Sequence, residues 1–426
     1  MLCLHASWLD LCSRLTSLFR SRSCGEKAGD SSRSFRLSRE AQVRLIAALD
    51  KNIPHNVSCN QIETKYAFRA VKKTAKTAGG SRSKTKVAVI GASGYAGEQL
   101  VGLLLRHPCA DLVAVTSRQF AGKTLAEIFP RFSHREKTNE LRFSEPDAAR
   151  LAQRAEIIFL SLLHGHAAEF AKPLLLAGAR IVDLSADFRI RDPKLHKEFY
   201  GNDHPAPELL GEAVYGLPET YRAKISDAKL LACPGCYPTS ILLPLLPLIR
   251  ESIVNPASIV VTSLSGVTGA GRKVEADYLF AECNESMRPY GVPKHRHLSE
   301  IEEQLSIFAR EKVTIQFTPH LVPVNRGIVT TIYADLRKKI DSRFIASIYE
   351  KAYHGEPFVR LLGDERFPDT KNVGGTNFID VAWRVDPRTG RVILMSALDN
   401  LMKGASGQAI QCFNVMRGYS EVAGLL

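Results

Sequence analysis

Lys86-Val-Ala-Val-Ile90-Gly91-Ala-Ser-Gly94-Tyr-Ala-Gly97-Glu-Gln-Leu-Val-Gly-Leu-Leu-Leu-Arg106 decides the fold. The apolar run that opens it reads as a short buried strand, glycines break it at three-residue intervals, and the residues from Glu98 take up a helical pattern. Strand, glycine turn and helix in that order leave unpaired helix-opening amides facing outward, where a pyrophosphate fits, and glycine lets the backbone come close to it. Gly91, Ser93, Gly94, Tyr95, Ala96 and Gly97 are the candidate cofactor-binding residues of this turn. Taken alone, the triplet is weak evidence, because glycine turns between strands and helices also arise from packing.

The strand–helix unit then repeats along the chain. A second strand at 112–116 ends in Ser117-Arg118, where sites that prefer NAD present a carboxylate to the ribose 2′-hydroxyl. A hydroxyl and a guanidinium suit a 2′-phosphate instead, which argues for NADP. Strand-like runs at 156–161 and 180–185 flank a helical segment at 167–177, so strands and helices alternate and the strands pair in parallel. Ligands of such a doubly wound sheet collect beyond the carboxyl ends of its strands. The tails there are Leu163-His-Gly-His166 and Ser185-Ala-Asp-Phe-Arg189, which add Leu163 and Ser185 to the cofactor candidates. His164, His166 and Asp187 also suit ordinary turns and caps.

Cys233-Pro-Gly-Cys236-Tyr-Pro-Thr239 changes the pattern. Cys236 falls where a glycine turn opens a helix, with Pro238 in the first turn, where its missing N–H costs nothing. Partial positive charge at that end is expected to lower the thiol pKa and favour a nucleophilic thiolate. Cys-x-x-Cys is also half a zinc site or a redox pair, but the chain has no second such motif, and four of the nine cysteines (Cys3, Cys12, Cys24, Cys59) lie in the basic leader.

Beyond Cys236 the chain turns β-rich, with strands expected at 258–264, 312–318, 327–336, 378–384 and 391–398 and a hairpin turn at 386–390. They imply a mixed or antiparallel sheet with helices on one face, 341–353 among them. The glycine-rich loop from Ser263 to Arg272 suits an acyl phosphate or carboxylate, which makes Ser265, Gly266 and Arg272, with Arg326 at a strand start, the substrate-binding candidates. His295 and His297 precede a helix expected to open at Ser299, with Glu302 closing a capping box, so both rings stand in an extended lead-in and face one side. Two such imidazoles can bind a metal, but no partner is suitably spaced, so acid-base work is the better reading and no metal is assigned. The closing stretch 398–414 is a helix with one face of small residues, able to lie close to a sheet or nucleotide.

The +13 net charge suggests nucleic acid until it is divided along the chain. Residues 1–84 hold 16 Lys+Arg against 6 Asp+Glu, so about +3 is left for the rest. That leader is Ser- and Arg-rich, lacks a secretory apolar core, contains one amphipathic segment at 40–50 and ends in a Gly/Ser/Lys linker. It reads as a transit peptide, plastid stroma first and mitochondrion second; a basic tail that stays attached is the alternative. No 18-residue apolar stretch occurs, so no membrane span is expected. The fold class is α/β: a Rossmann-type doubly wound domain at 85–235, completed by 399–426, and an α+β mixed-sheet catalytic and oligomerisation domain at 236–398.

The constellation resembles the N-acetyl-γ-glutamyl-phosphate reductases of the semialdehyde dehydrogenase superfamily. It rests on Gly91-Ala-Ser-Gly-Tyr-Ala-Gly97, Asp183-Leu-Ser-Ala-Asp-Phe-Arg189, Val214-Tyr-Gly-Leu-Pro218, Pro234-Gly-Cys-Tyr-Pro-Thr239, Ser265-Gly-Val-Thr-Gly-Ala-Gly-Arg272, His295-Arg-His297 and Asp399-Asn-Leu-Met-Lys-Gly-Ala-Ser-Gly-Gln408. The resemblance implies a glyceraldehyde-3-phosphate-dehydrogenase-like fold and NADPH-dependent reduction of an acyl phosphate to a semialdehyde through a Cys236 thioester. It further implies His297 or His295 as the base, Asn400 at the cofactor, and a homo-oligomer, dimer or tetramer, acting on a small-molecule substrate. The family carries Asn where this chain has Cys233, which leaves two readings of that thiol: it merely packs, or it traps Cys236 as a strained disulfide. An aspartate-semialdehyde-type reductase and an NADP-sensing protein without chemistry are the competing readings.

Overall fold

Strand β1 (Thr85–Ile90) is central to the first of two sheets because alternate residues of a strand face opposite sides. Val87 and Val89 pack with Leu100, Leu104 and Phe413 on one side, while Ala88 and Ile90 pack with Ile158 and Leu174 on the other. Burial on both faces is why the run lacks polar alternation. In this computed structural model residues 83–272 and 274–426 are described, and the leader and its 40–50 segment lie outside them apart from Ser83 and Lys84. The strands β2 (Ala110–Thr116), β3 (Phe143–Ser144), β4 (Ile157–Leu160), β5 (Arg180–Asp183), β6 (Val214–Tyr215) and β7 (Leu230–Ala232) complete the sheet in the order β3-β2-β1-β4-β5-β7-β6. Every pairing is parallel. The winding reverses at β1, so a crevice opens beyond the carboxyl ends of β1, β2 and β4.

Helices α1 (Tyr95–Leu104), α2 (Ala148–Arg154), α3 (Ala167–Leu176), α4 (Pro193–Tyr200) and α5 (Pro218–Asp227) accompany that sheet. Asp187 caps α3 from the β5 loop, accepting the N–H groups of Gly165 (2.6 Å) and Ala168 (3.1 Å). The last helix, α9 (Gly407–Arg417), returns to this sheet and packs Ala409, Ile410 and Phe413 into its core.

The second sheet contains β8 (Val260–Gly266), β9 (Arg288–Pro289), β10 (Gln316–Val322), β11 (Ile328–Asp335), β12 (Val359–Gly363), β13 (Ile379–Asp386) and β14 (Arg391–Leu398), ordered β12-β13-β14-β11-β8-β10-β9. It is mixed: β8 and β10 run parallel, while β11, β14 and β13 are antiparallel neighbours. Helices α6 (Cys236–Arg250), α7 (His297–Ala309) and α8 (Ser342–Tyr353) supply Ile241, Leu245, Ile301 and Tyr349 to its core. The expected architecture, a doubly wound parallel sheet plus a mixed sheet, is the one that forms.

Two local features differ from expectation, and a third is unusual for its sequence. The strand expected at 312–318 begins at Gln316, because the N–H groups of Val313 and Ile315 are taken by Ser306 Oγ and Glu302 Oε1 of α7. Strand β12 has no counterpart among the expected strands, since all five residues are half-buried and leave no alternation to read. Helix α6 also runs through Pro244 and Pro247, each of which removes an N–H and frees a carbonyl one turn earlier. Ser396 Oγ donates to the Ser240 carbonyl at 2.7 Å and the Tyr353 hydroxyl to that of Leu243, so both freed carbonyls are satisfied.

Candidate active site

Cys236 opens α6 as its first helical residue, with Gly235 in the extended cap position. The turn before it is held by two buried side chains. Arg189 donates from Nε to the Cys233 carbonyl (2.8 Å) and from Nη2 to the Leu184 carbonyl (2.8 Å), and its Nη1 pairs with Glu300 (3.3 Å). Glu300, fully buried on α7, accepts the Gly235 N–H at 2.9 Å and the Tyr215 hydroxyl at 2.6 Å. The Glu300 charge holds the Arg189 pKa above its ordinary value against the cost of burial.

The imidazoles stand against this turn. A methyl placed on Gly235 would lie 2.5 Å from His297 Nε2, so that nitrogen sits directly beside the backbone that presents Cys236. The rings of His295 and His297 are 5.0 Å apart, and Tyr237 meets both edge-on at 5.5 and 5.8 Å. The Tyr237 hydroxyl contacts that of Tyr290 at 2.8 Å. His295 Nδ1 accepts the N–H of His297 at 3.1 Å, which leaves the proton of neutral His295 on Nε2. Burial, reinforced by Arg296, pushes the His295 pKa down to about 4. Burial, His295, Arg189 and Arg296 together hold His297 well below the usual imidazole range, and its Nδ1 is buried without a hydrogen-bond partner.

Two expectations are corrected here. Helix α7 opens at His297 rather than Ser299, and the Ser299 hydroxyl donates to the Arg296 carbonyl instead of capping. The His pair therefore straddles the helix start, and Tyr237 gathers both rings to one side although only His295 is in the lead-in. The Cys236 thiol is not depressed: burial pushes it up to about 11, and the opposing pull of Arg189 and the helix-opening amides does not overcome it. The resting pair is a neutral thiol beside a neutral imidazole.

Cys233 and Cys412 of α9 both lie against Gly216: a methyl there would be 3.2 Å from Cys233 Cα and 3.3 Å from Cys412 Sγ, and Cys412 Sγ donates to the Gly216 carbonyl at 3.2 Å. Both residues are fully buried, and Cys233, Cys236 and Cys412 are all free thiols.

Among the nucleotide candidates, Gly91 takes φ +79°, and a methyl there would strike the Ser161 carbonyl at 2.3 Å, so only glycine lets the turn pass over β4. Nothing lies within 4 Å of the corresponding position on Gly94, and α1 carries no side-chain cap over its first turn, Tyr95-Ala96-Gly97. Ser93 and Ser117 touch hydroxyl to hydroxyl at 3.0 Å, and Arg118 and Leu163 stand exposed on the rim of the same cleft. That open cradle fits a dinucleotide. Ser185 is instead spent locally, donating to Asp183 Oδ2 (2.8 Å) and accepting from the Asp187 N–H (3.1 Å). Asn400 ties two loops together, accepting from the Gly327 N–H (2.8 Å) and donating to Thr268 Oγ1 (3.0 Å).

The substrate candidates divide. Ser265 and Gly266 end β8 beside Tyr237, and Arg326 pairs with buried Asp399 at 3.0 Å. Arg272 pairs with Glu98 of α1 and lies over the Tyr95 ring at 4.8 Å, so the structure brings it to the glycine turn. Sequence reasoning misses Glu300 as a site residue. Its signal is the three-residue spacing from His297, one helical face, hidden when the helix start is set too late.

Comparison with known proteins agrees with this geometry. Residues 86–228 match the family described as "Semialdehyde dehydrogenase, NAD binding domain", and residues 236–400 that described as "Semialdehyde dehydrogenase, dimerisation domain". The N-acetyl-gamma-glutamyl-phosphate reductase of Akkermansia muciniphila is 53% identical over 343 residues, 80% of this chain and 99% of that protein. That of Geotalea daltonii is 49% identical over 341 residues, 80% and 97%. Among solved structures, Vibrio cholerae aspartate semialdehyde dehydrogenase II complexed with ASA aligns with a TM-score of 0.61 at 18% identity, covering 79% of this chain and 99% of that one. The Candida albicans aspartate semialdehyde dehydrogenase with NADP gives 0.59 at 16%, covering 78% and 98%. At such identities the structural likeness bears on fold alone, whereas the sequence relationship is close over nearly the whole length of the relatives: the chain belongs to the N-acetyl-gamma-glutamyl-phosphate reductase family of the semialdehyde dehydrogenases.

Proposed function

We propose that this chain reduces N-acetyl-γ-glutamyl phosphate to N-acetylglutamate semialdehyde and phosphate, with NADPH as reductant. The observation that carries the reading is Cys236 at the mouth of α6, with the unprotonated His297 beside its turn. The Cys236 sulfur attacks the acyl carbon while His297 takes the thiol proton, the carbon–oxygen bond to phosphate breaks, and a thioester remains. Because the thiol pKa is near 11 and that of the imidazole is low, proton transfer accompanies attack rather than preceding it. The nicotinamide, when bound, supplies the hydride that takes the thioester to the aldehyde level. His295 contacts substrate, and Arg326 with the Ser265-Gly266 loop holds carboxylate or phosphate.

Ser117 and Arg118 support NADP over NAD, since a hydroxyl and an exposed guanidinium at the end of β2 suit a 2′-phosphate. The match of 236–400 to a dimerisation domain supports a homo-oligomer. Residues 1–84 precede every family match and act, on this reading, as a plastid transit peptide; a reporter fused to them that stays in the cytosol would remove the idea. No helix of the described residues is long and apolar enough to cross a membrane.

The activity is tested in the oxidative direction, with phosphate, NADP+ and a panel of semialdehydes. N-acetylglutamate semialdehyde should be turned over far faster than aspartate semialdehyde. The reverse preference would give the chain the other substrate, and no turnover of either would favour a nucleotide-binding protein without chemistry.

A further inference from the structure

Met402–Ser406 forms a single π-turn, with Gly404 N–H donating to the Asp399 carbonyl and Ser406 N–H to that of Leu401, both at 3.0 Å and both spanning five residues. Wide turns of this kind are rare and concentrate at functional sites. Here the bulge pushes Gly404 against the nucleophile: a methyl on Gly404 would lie 2.8 Å from Cys236 Cβ. The turn is anchored on one side by Lys403, fully buried, whose Nζ donates to Glu219 Oε1 (2.5 Å) and Gln411 Oε1 (2.8 Å). On the other side the Ser406 hydroxyl, also fully buried, donates to the Ala96 carbonyl at 2.8 Å, inside the glycine turn. One rigid five-residue segment thus touches both the nucleotide cradle and the reacting cysteine.

We propose that Ser406 is a positioning residue: through its bond to Ala96, the π-turn transmits occupancy of the glycine turn to Cys236. The inference rests on nucleotide binding at that turn. A ligand that settles its pyrophosphate on the amides of Tyr95, Ala96 and Gly97 draws on the peptide whose carbonyl Ser406 holds. Any shift there reaches Gly404 within two residues, and Gly404 has no side chain to absorb it. Lys403 acts as the pivot, because its buried ion pair resists displacement.

The probe is 2′-phospho-ADP-ribose, which fills the phosphate sites but carries no nicotinamide to cover the sulfur. Its binding to the full chain is measured by calorimetry, and the iodoacetamide alkylation rate of Cys236 is followed by peptide mass spectrometry. Saturating probe should change the alkylation rate of the wild type about 5-fold or more, the size of an ordinary coupling between two sites. In Ser406→Ala the probe should still bind while the rate change collapses; Ser406→Thr, which keeps the hydroxyl, should restore it. Probe that binds without altering the wild-type rate overturns the proposal and leaves the nucleotide reading standing, as does full coupling in Ser406→Ala. Probe that does not bind at all overturns both.

Discussion

Glu300 Oε1 accepts the Gly235 N–H at 2.9 Å, so a carboxylate buried on α7 holds the turn from which Cys236 is presented on α6. The same carboxylate neutralises Arg189, and neither charge has water to fall back on. Glu300→Ala should therefore cost about 3–5 kcal/mol of folding stability in denaturant titration, because it strands a buried guanidinium. Glu300→Gln, which keeps an acceptor for Gly235, should lose less stability than Ala while still lowering kcat. A loss below about 1 kcal/mol for Ala would mean that Arg189 finds another partner.

Arg118 should decide between the two nicotinamide cofactors. Arg118→Asp should raise KM for NADPH and narrow the preference over NADH, by up to about 2–3 kcal/mol for a charge-assisted contact. Steady-state kinetics with both cofactors measure it. Unchanged discrimination would move the 2′-phosphate to another residue.

The two cysteines of the Cys233-Pro-Gly-Cys236 turn should behave differently. Cys236→Ser should abolish turnover, whereas Cys233→Ser should preserve it, since Cys233 is buried with Cys412 against Gly216. Peroxide inactivation should track oxidation of Cys236, without a Cys233–Cys236 bridge in the peptide map. Finding that bridge would require the β7–α6 turn to open, against the Arg189 and Glu300 contacts.

Both sheets are legible in the sequence because their strands announce themselves in different ways. β1 from Val87 onward and β4 are unbroken apolar runs, while β13 and β14 are joined by a turn at 386–390. Contacts between residues far apart in the chain are not legible. Glu300 meets Gly235 across 65 positions and Ser406 meets Ala96 across 310, and no local pattern signals either. The expected thiol pKa fails for a related reason. The helix end at Cys236 is a local feature and pulls the pKa down, but the burial that wins is supplied by the packed surroundings.

The division of labour between the imidazoles can be read from pH. His297 lies beside Gly235 with a buried, unpartnered Nδ1, while His295 spends its Nδ1 on the His297 amide. His297 is thus the group free to take the thiol proton. Because its pKa is held well below the ordinary imidazole value of 6.5, the acidic limb of kcat/KM should be displaced well to the acid side of that value, activity being lost as the ring protonates. Alkylation of the free thiol should keep climbing from pH 7 towards 10 without a plateau, as a pKa near 11 demands. Stability has the same sign. A histidine depressed in the folded state contributes fully above its unfolded pKa, so the fold should weaken as pH drops through 6.5 towards about 4. His297→Asn should lower kcat by about 10²–10⁴ and remove the acidic limb, whereas His295→Asn should act mainly on KM for the acyl substrate. If His295→Asn instead takes the limb and the kcat loss with it, the two roles exchange.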